Sequence, residues 1–145
     1  MSIGNVTNVN ETSVETIKLV ASAARAKGAP VEIGTGNATF GVNNDANLSD
    51  NTNVKRVAVA LQDAAINTVY EAAVKGTVTM TVASGTYNTG FGLRYHDGAM
   101  GDTGTVAGDL TGEVGDNIVG TIKEGGTSVT SIKVTLLGAA VTKTT

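Results

Sequence analysis

The residues able to do chemistry are few, and their spacing works against it. His96 is the only histidine, set between Tyr95 and Asp97 with Asp102 downstream. An imidazole beside a carboxylate is a candidate general acid and base, and a small hydrolase would use His96 with Asp97 or Asp102. Nucleophilic catalysis and metal binding both need further partners around the imidazole. The neighbourhood supplies mostly glycine, so the run reads as a surface turn and the chain as a non-enzyme. Asp97, Asp102, Asp109, Glu113 and Asp116 share one Gly-rich region. Calcium takes about six to eight oxygens at tight spacing. These acids match no such loop and read as hairpin-closing turns.

Asp45, Asn47 and Ser49 do place oxygens at the first, third and fifth positions of an EF-hand loop. The pattern then breaks: Asp50 stands where glycine is needed and Arg56 where a bidentate Glu is needed. Gly90-Phe91-Gly92 and the Gly104–Gly115 run lack the Lys and Ser/Thr of a phosphate loop. Lys55-Arg56 and Arg25 with Lys27 are pairs of cations, not a patch. Net charge is −3, the wrong sign for a phosphate backbone. Thr77, Thr79 and Thr81 form a row of hydroxyls. Such a row suits an ice or glycan surface, or simply the wet face of a sheet, which is the reading taken. No cofactor, metal, nucleic acid or small-molecule substrate is expected.

The elements that would carry these residues are strands. The 145-residue chain fits one domain, has no Cys for disulfides, and is rich in Thr, Val, Gly and Ala with 3% aromatics. Val and Thr suit a pleated, half-buried surface. Residues 1–20 read as an N-terminal arm and first strand, and 21–145 as one β domain. The start lacks the basic and apolar run of a signal peptide, and no stretch nears the ~18 apolar residues of a membrane helix.

Strands are predicted over 14–20, 31–33, 39–42, 54–61, 74–82, 89–95, 118–122 and 129–137. Ala21–Ala26 is the best short helix. Gly34 with Gly36, Ser84-Gly85 and Glu124–Thr127 are the predicted turns. Residues 43–53 and 96–117 read as loop, and 138–145 as a polar tail. Residues 62–73 fit either a helix or a loop entering a strand at Val69. Val74–Val82 alternates most clearly, with Val74, Gly76, Val78, Met80 and Val82 on one face. Short strands separated by turns indicate an all-β sandwich or small barrel. The Val57 and Ile118 segments, each leading into an alternating strand, echo one another.

The run Ala26-Lys-Gly-Ala-Pro-Val-Glu-Ile-Gly with Gly41-Val42 resembles the opening hairpin of the phage capsid cement, or head decoration, proteins. Val57–Ala64 and Val74–Val82 resemble that family's next strands, and 115–137 its closing pair. Val57 stands where the family favours Gly, and the Gly/Asp region is long. The resemblance implies a small β-barrel or sandwich, commonly trimeric and without an active site. It would bind major capsid protein on the outside of an expanded head, bridge capsomers and reside in the virion. It also implies an N-terminal segment that adds to capsid β-structure. Residues 1–20 suit that role, because an extended Thr/Asn/Val arm without Pro can ladder onto an exposed edge. Val6, Val9, Val14, Ile17 and Leu19 are the expected interface residues. The alternative is an adhesion or receptor-binding β-sandwich of a tail, fibre or cell surface.

Overall fold

The computed structural model describes residues 14–47, 57–96, 99–102 and 117–142. They form nine strands: β1 (Glu15–Val20), β2 (Pro30–Asn37), β3 (Val42–Ala46), β4 (Val57–Ala60), β5 (Val69–Tyr87), β6 (Gly92–His96), β7 (Ala99–Asp102), β8 (Asn117–Glu124) and β9 (Gly126–Thr142). One sheet holds them in the order β1-β3-β2-β4-β5-β9-β8-β6-β7. β1 also pairs antiparallel with β5, from Glu15↔Lys75 to Val20↔Val69. That extra pairing closes β1, β3, β2, β4 and the first part of β5 into a ring. The later part of β5 leaves the ring and pairs with β9 from Lys75↔Leu137 to Tyr87↔Gly126. The two hairpins that echo in sequence, β4–β5 and β8–β9, meet at this central pair, in the order β4-β5-β9-β8.

Each half has its own core. Leu19, Val31, Ala58, Ala60, Tyr70, Ala72 and Val74 fill the ring. Val57, Val59, Ala73, Val78, Met80, Leu93, Ile122, Ile132, Val134 and Leu136 fill the other half. β4 lies between them, so Val57 and Val59 face one core while Ala58 and Ala60 face the other. All four are buried, which is why this strand reads as continuous apolar sequence without alternation.

β5 cannot be straight. Gly28 donates its N–H to Ala60 O and accepts from Thr81 N–H, both at 2.8 Å. Ala60 sits opposite Ala72 on β5. A straight run from residue 72 to 81 would span roughly 30 Å, far more than one glycine bridges. β5 therefore turns between them. Gly76, at φ +104° in mid-strand, is the residue that permits it. Gly28 is pinned as well: its φ is +92°, and a Cβ there would meet Thr81 Oγ1 at 2.9 Å.

Several expectations change. Ala21–Ala26 is not a helix. Its backbone is claimed by distant partners: Ala21 N–H donates to Thr68 O, and Arg25 and Ala64 exchange N–H···O bonds of 2.8 and 2.9 Å. Six residues are also too few to nucleate a helix unaided. Gly34 and Gly36 lie within β2, and the turn falls at 38–41. Residues 43–46 are strand, not loop. Residues 62–68 form the loop and the strand begins at Val69. Ser84-Gly85 is no turn but an irregular stretch of β5 whose pairing persists at Gly85↔Val129. The Gly/Asp region contains β7. Gly126-Thr127 already belongs to β9, and 138–142 continue that strand where a tail was expected. The alternation of buried and exposed residues at 74–82 is as read, but the single face is not: Val74 packs in the ring core and Val78, Met80 and Val82 in the other, with the change falling at Gly76.

Replacing Gly28 with Ala forces a positive φ on an alanine against Thr81. Chemical denaturation should show a loss of about 1–3 kcal/mol, and an unchanged midpoint would contradict the joint described.

Candidate functional site

The charged cluster built most fully by the fold centres on Asp45. β3 presents it beside Tyr70 of β5, and the β1–β2 link brings Ser22 and Arg25 over it. Asp45 Oδ1 accepts from Ser22 N–H at 2.7 Å, Ser22 Oγ at 2.6 Å and Arg25 Nη2 at 2.9 Å. Oδ2 accepts from Arg25 Nε at 2.8 Å and Tyr70 Oη at 2.5 Å. Arg25 Nη1 also donates to Asn47 Oδ1 at 2.7 Å. The Asp45 side chain is 0% exposed and that of Arg25 10%.

Burial works against the charge on Asp45, but hydrogen bonds from Arg25, Ser22 and Tyr70 together outweigh it and hold the carboxyl at about 2. The hydrogen bond to Asp45 raises Arg25 further above neutrality. Burial, then the bond to Asp45, pushes the Tyr70 hydroxyl well above the usual phenol range. A carboxylate with five donors on two oxygens has little basicity left to offer a substrate. Asp45 and Asn47, the first and third positions of the apparent calcium loop, both accept hydrogen bonds from the Arg25 guanidinium. The cluster is a structural tie between β1–β2 link, β3 and β5. Its partners lie 20, 23 and 25 residues from Asp45, so no local motif announces it. A Tyr in a chain with 3% aromatics was the one available hint.

Of the histidine and the acidic candidates of the Gly-rich region, the described residues include only the backbones of His96 and Asp102. The backbone of His96 ends β6 opposite Ala99, and that of Asp102 lies opposite Leu93. Their side chains, and all of Asp97, Asp109, Glu113 and Asp116, lie outside the described residues, as do Leu48–Asp50, Lys55-Arg56 and Gly104–Gly115. Gly90 takes φ +90° in the turn before β6. Phe91 beside it is exposed.

The hydroxyl row is a real face. Thr79 and Thr81 are exposed and Thr77 half-buried. Across the ladder they meet Lys133, Ser131 and Thr135, and Thr77 Oγ1 lies 2.8 Å from Thr135 Oγ1. Thr121 of β8 extends the row beyond Thr135.

Of the expected interface residues, Val6 and Val9 lie outside the described residues. Val14 is exposed, whereas Ile17 packs partly against the ring core. Leu19 is fully buried inside the ring, so it has no surface to offer a partner. The reason is that β1 is no free arm at this point: Leu19 and Val20 pair with β3 and β5 together.

No protein-family model matches the chain, and no curated protein matches it. A solved structure is similar in fold: the head fiber gp8.5 N base of bacteriophage phi29. Its TM-score is 0.54 at 11% identity, over 89% of this chain and 98% of that one.

Asp45→Ala leaves the Arg25 guanidinium nearly buried without its counter-charge, and should cost about 3–5 kcal/mol in urea unfolding. Tyr70→Phe, which removes one donor to a charged acceptor, should cost about 1.5–3 kcal/mol. The folded carboxyl titrates near 2, below its ordinary 3.8. Its stabilisation is therefore complete above about pH 5 and falls away as pH drops through about 2, by roughly 2 kcal/mol in all. Acid unfolding of Asp45→Asn should lack this component; a variant with the parent's pH profile would refute the assignment.

Proposed function

We propose that this chain is a structural, non-catalytic protein of a tailed-phage virion that binds the outer surface of the expanded head and bridges capsomers. The observation that carries the reading is the fold shared with the head fiber N base over most of both chains. That neighbour is a component of a phage head. The sequence resemblance to head decoration proteins, reached on different grounds, leads to the same place. The Asp45 cluster supports the reading because its charge is spent on holding elements together. The partner is the major capsid protein, the working state a homotrimer, and no cofactor takes part. Many copies that bind only the assembled shell stabilise it by mass action, each adding a modest amount.

Residues 1–13, with Val6 and Val9 among their apolar members, are the capsid-binding arm in this reading. Mixing the purified protein with expanded heads that lack it should give ordered density on the outer surface and raise the temperature at which heads release DNA. A chain without residues 1–13 should keep its far-UV circular dichroism and fail to decorate. Full decoration by the truncated chain would remove the arm from the proposal. Binding to host cells but not to heads would replace the virion-shell role with an adhesive one. Light scattering is expected at three times the protomer mass.

A further inference from the structure

The ring repeats itself at a spacing of 39 residues, the distance from Lys18 to Val57. β1, the 21–29 link and β2 form one unit; β4, the 61–68 link and the start of β5 form the other. Lys18↔Glu71, Leu19↔Tyr70 and Val20↔Val69 join β1 to β5. Moving each partner to its counterpart in the other unit gives Val57↔Glu32, Ala58↔Val31 and Val59↔Pro30, which are the pairs that join β4 to β2. The units are related by a pseudo-two-fold axis, as in an isologous dimer, where residue i meets j and j meets i.

The links obey the same exchange. Ala29 N–H donates to Ala26 O at 3.0 Å and Thr68 N–H to Ala65 O at 3.2 Å. Gly28 at φ +92° and Asn67 at φ +62° hold equivalent places in those turns. Between the units, Ala21 N–H donates to Thr68 O and Ala60 N–H to Ala29 O. Asn67 N–H donates to Ala21 O and Gly28 N–H to Ala60 O, while Arg25 and Ala64 donate to each other. The sequence keeps only a trace of the repeat, in the identities Val20/Val59, Ala21/Ala60, Ala26/Ala65 and Glu32/Glu71.

The exchange fails at Asp45. Leu61 N–H donates to Glu71 O at 3.0 Å. The equivalent acceptor for Ser22 is Glu32 O, but β3 lies between β1 and β2. Ser22 N–H donates to Asp45 Oδ1 instead. A side chain of the intervening strand thus stands in for a backbone acceptor.

We infer that the two links open only together. The backbone bonds that cross the axis come in equivalent pairs, and each link supplies the other's partners. Opening one alone would leave donors and acceptors of the other without partners, which is costly where they are buried. Of the two links, the Asp45 cluster touches only the first, yet through this pairing it also holds the second closed. The coupling requires nothing of the virion reading.

Amide exchange on the full chain tests it, read at amides whose acceptors lie outside the opposite link. Ser22 and Ala29 report the first link, Leu61 and Thr68 the second. Asn67→Ala strains the turn of the second link and should speed exchange there about fivefold or more. Ser22 and Ala29 should speed up by the same factor, within about twofold. Asp45→Asn should act in the reverse direction, speeding Leu61 and Thr68 as much as Ala29. A response confined to the altered link overturns the coupling. If either variant fails to fold, the unaltered chain decides the matter in low urea. There the four amides should share one opening free energy and one dependence on urea. Different slopes for the two links overturn the inference.

Discussion

β5 has to serve two cores. Its first part closes a ring with β1 and β4, and its later part carries the ladder to β9. No straight strand can do both while Gly28 ties Ala60 to Thr81. Gly76 resolves the conflict with a backbone conformation that side-chain-bearing residues avoid. Much of the residue choice nearby follows. A ring of so few strands has a narrow interior, so Ala58, Ala60, Ala64 and Ala72 line it with few large side chains among them, chiefly Leu19 and Tyr70. The wall between the cores is made of β4 and of 72–74, buried on both faces.

The Asp45 cluster addresses a different problem. The 21–28 link has no regular structure of its own, and its backbone groups must still find partners. Asp45 supplies an acceptor for Ser22 N–H and a counter-charge for Arg25 at once. A buried ion pair is a weak source of net stability compared with apolar packing, but removing one member leaves a costly orphan. The link therefore has one satisfactory position over the end of the ring, which brings Gly28 to β5.

Fold alone does not assign function. What bears on function here is that the fold's buried chemistry is consumed internally, while its distinctive outward features are extended surfaces: a Thr, Ser and Lys face across β5, β9 and β8, and a groove beside β5 lined in part by Val14. Surfaces of this kind bind other polypeptides through ladders and broad contact.

From the residues alone came the all-β class, most strand positions, the alternation of 74–82 and the failure of the calcium and phosphate patterns. These depend on spacing within a few residues, where side-chain alternation and turn chemistry act. Tertiary structure decided the rest. Ala21–Ala26 has helical composition, yet its hydrogen bonds go to Ala64, Thr68 and Asp45. Gly34, Gly36 and Gly85 look like turns but lie in strands whose neighbours hold them extended. Leu19 looked like a residue for a partner and became core once β1 was paired on both edges. Above all, Asp45, Arg25 and Tyr70 carry no mutual signal in sequence, because a buried charge is paired only by what the fold brings across from distant strands.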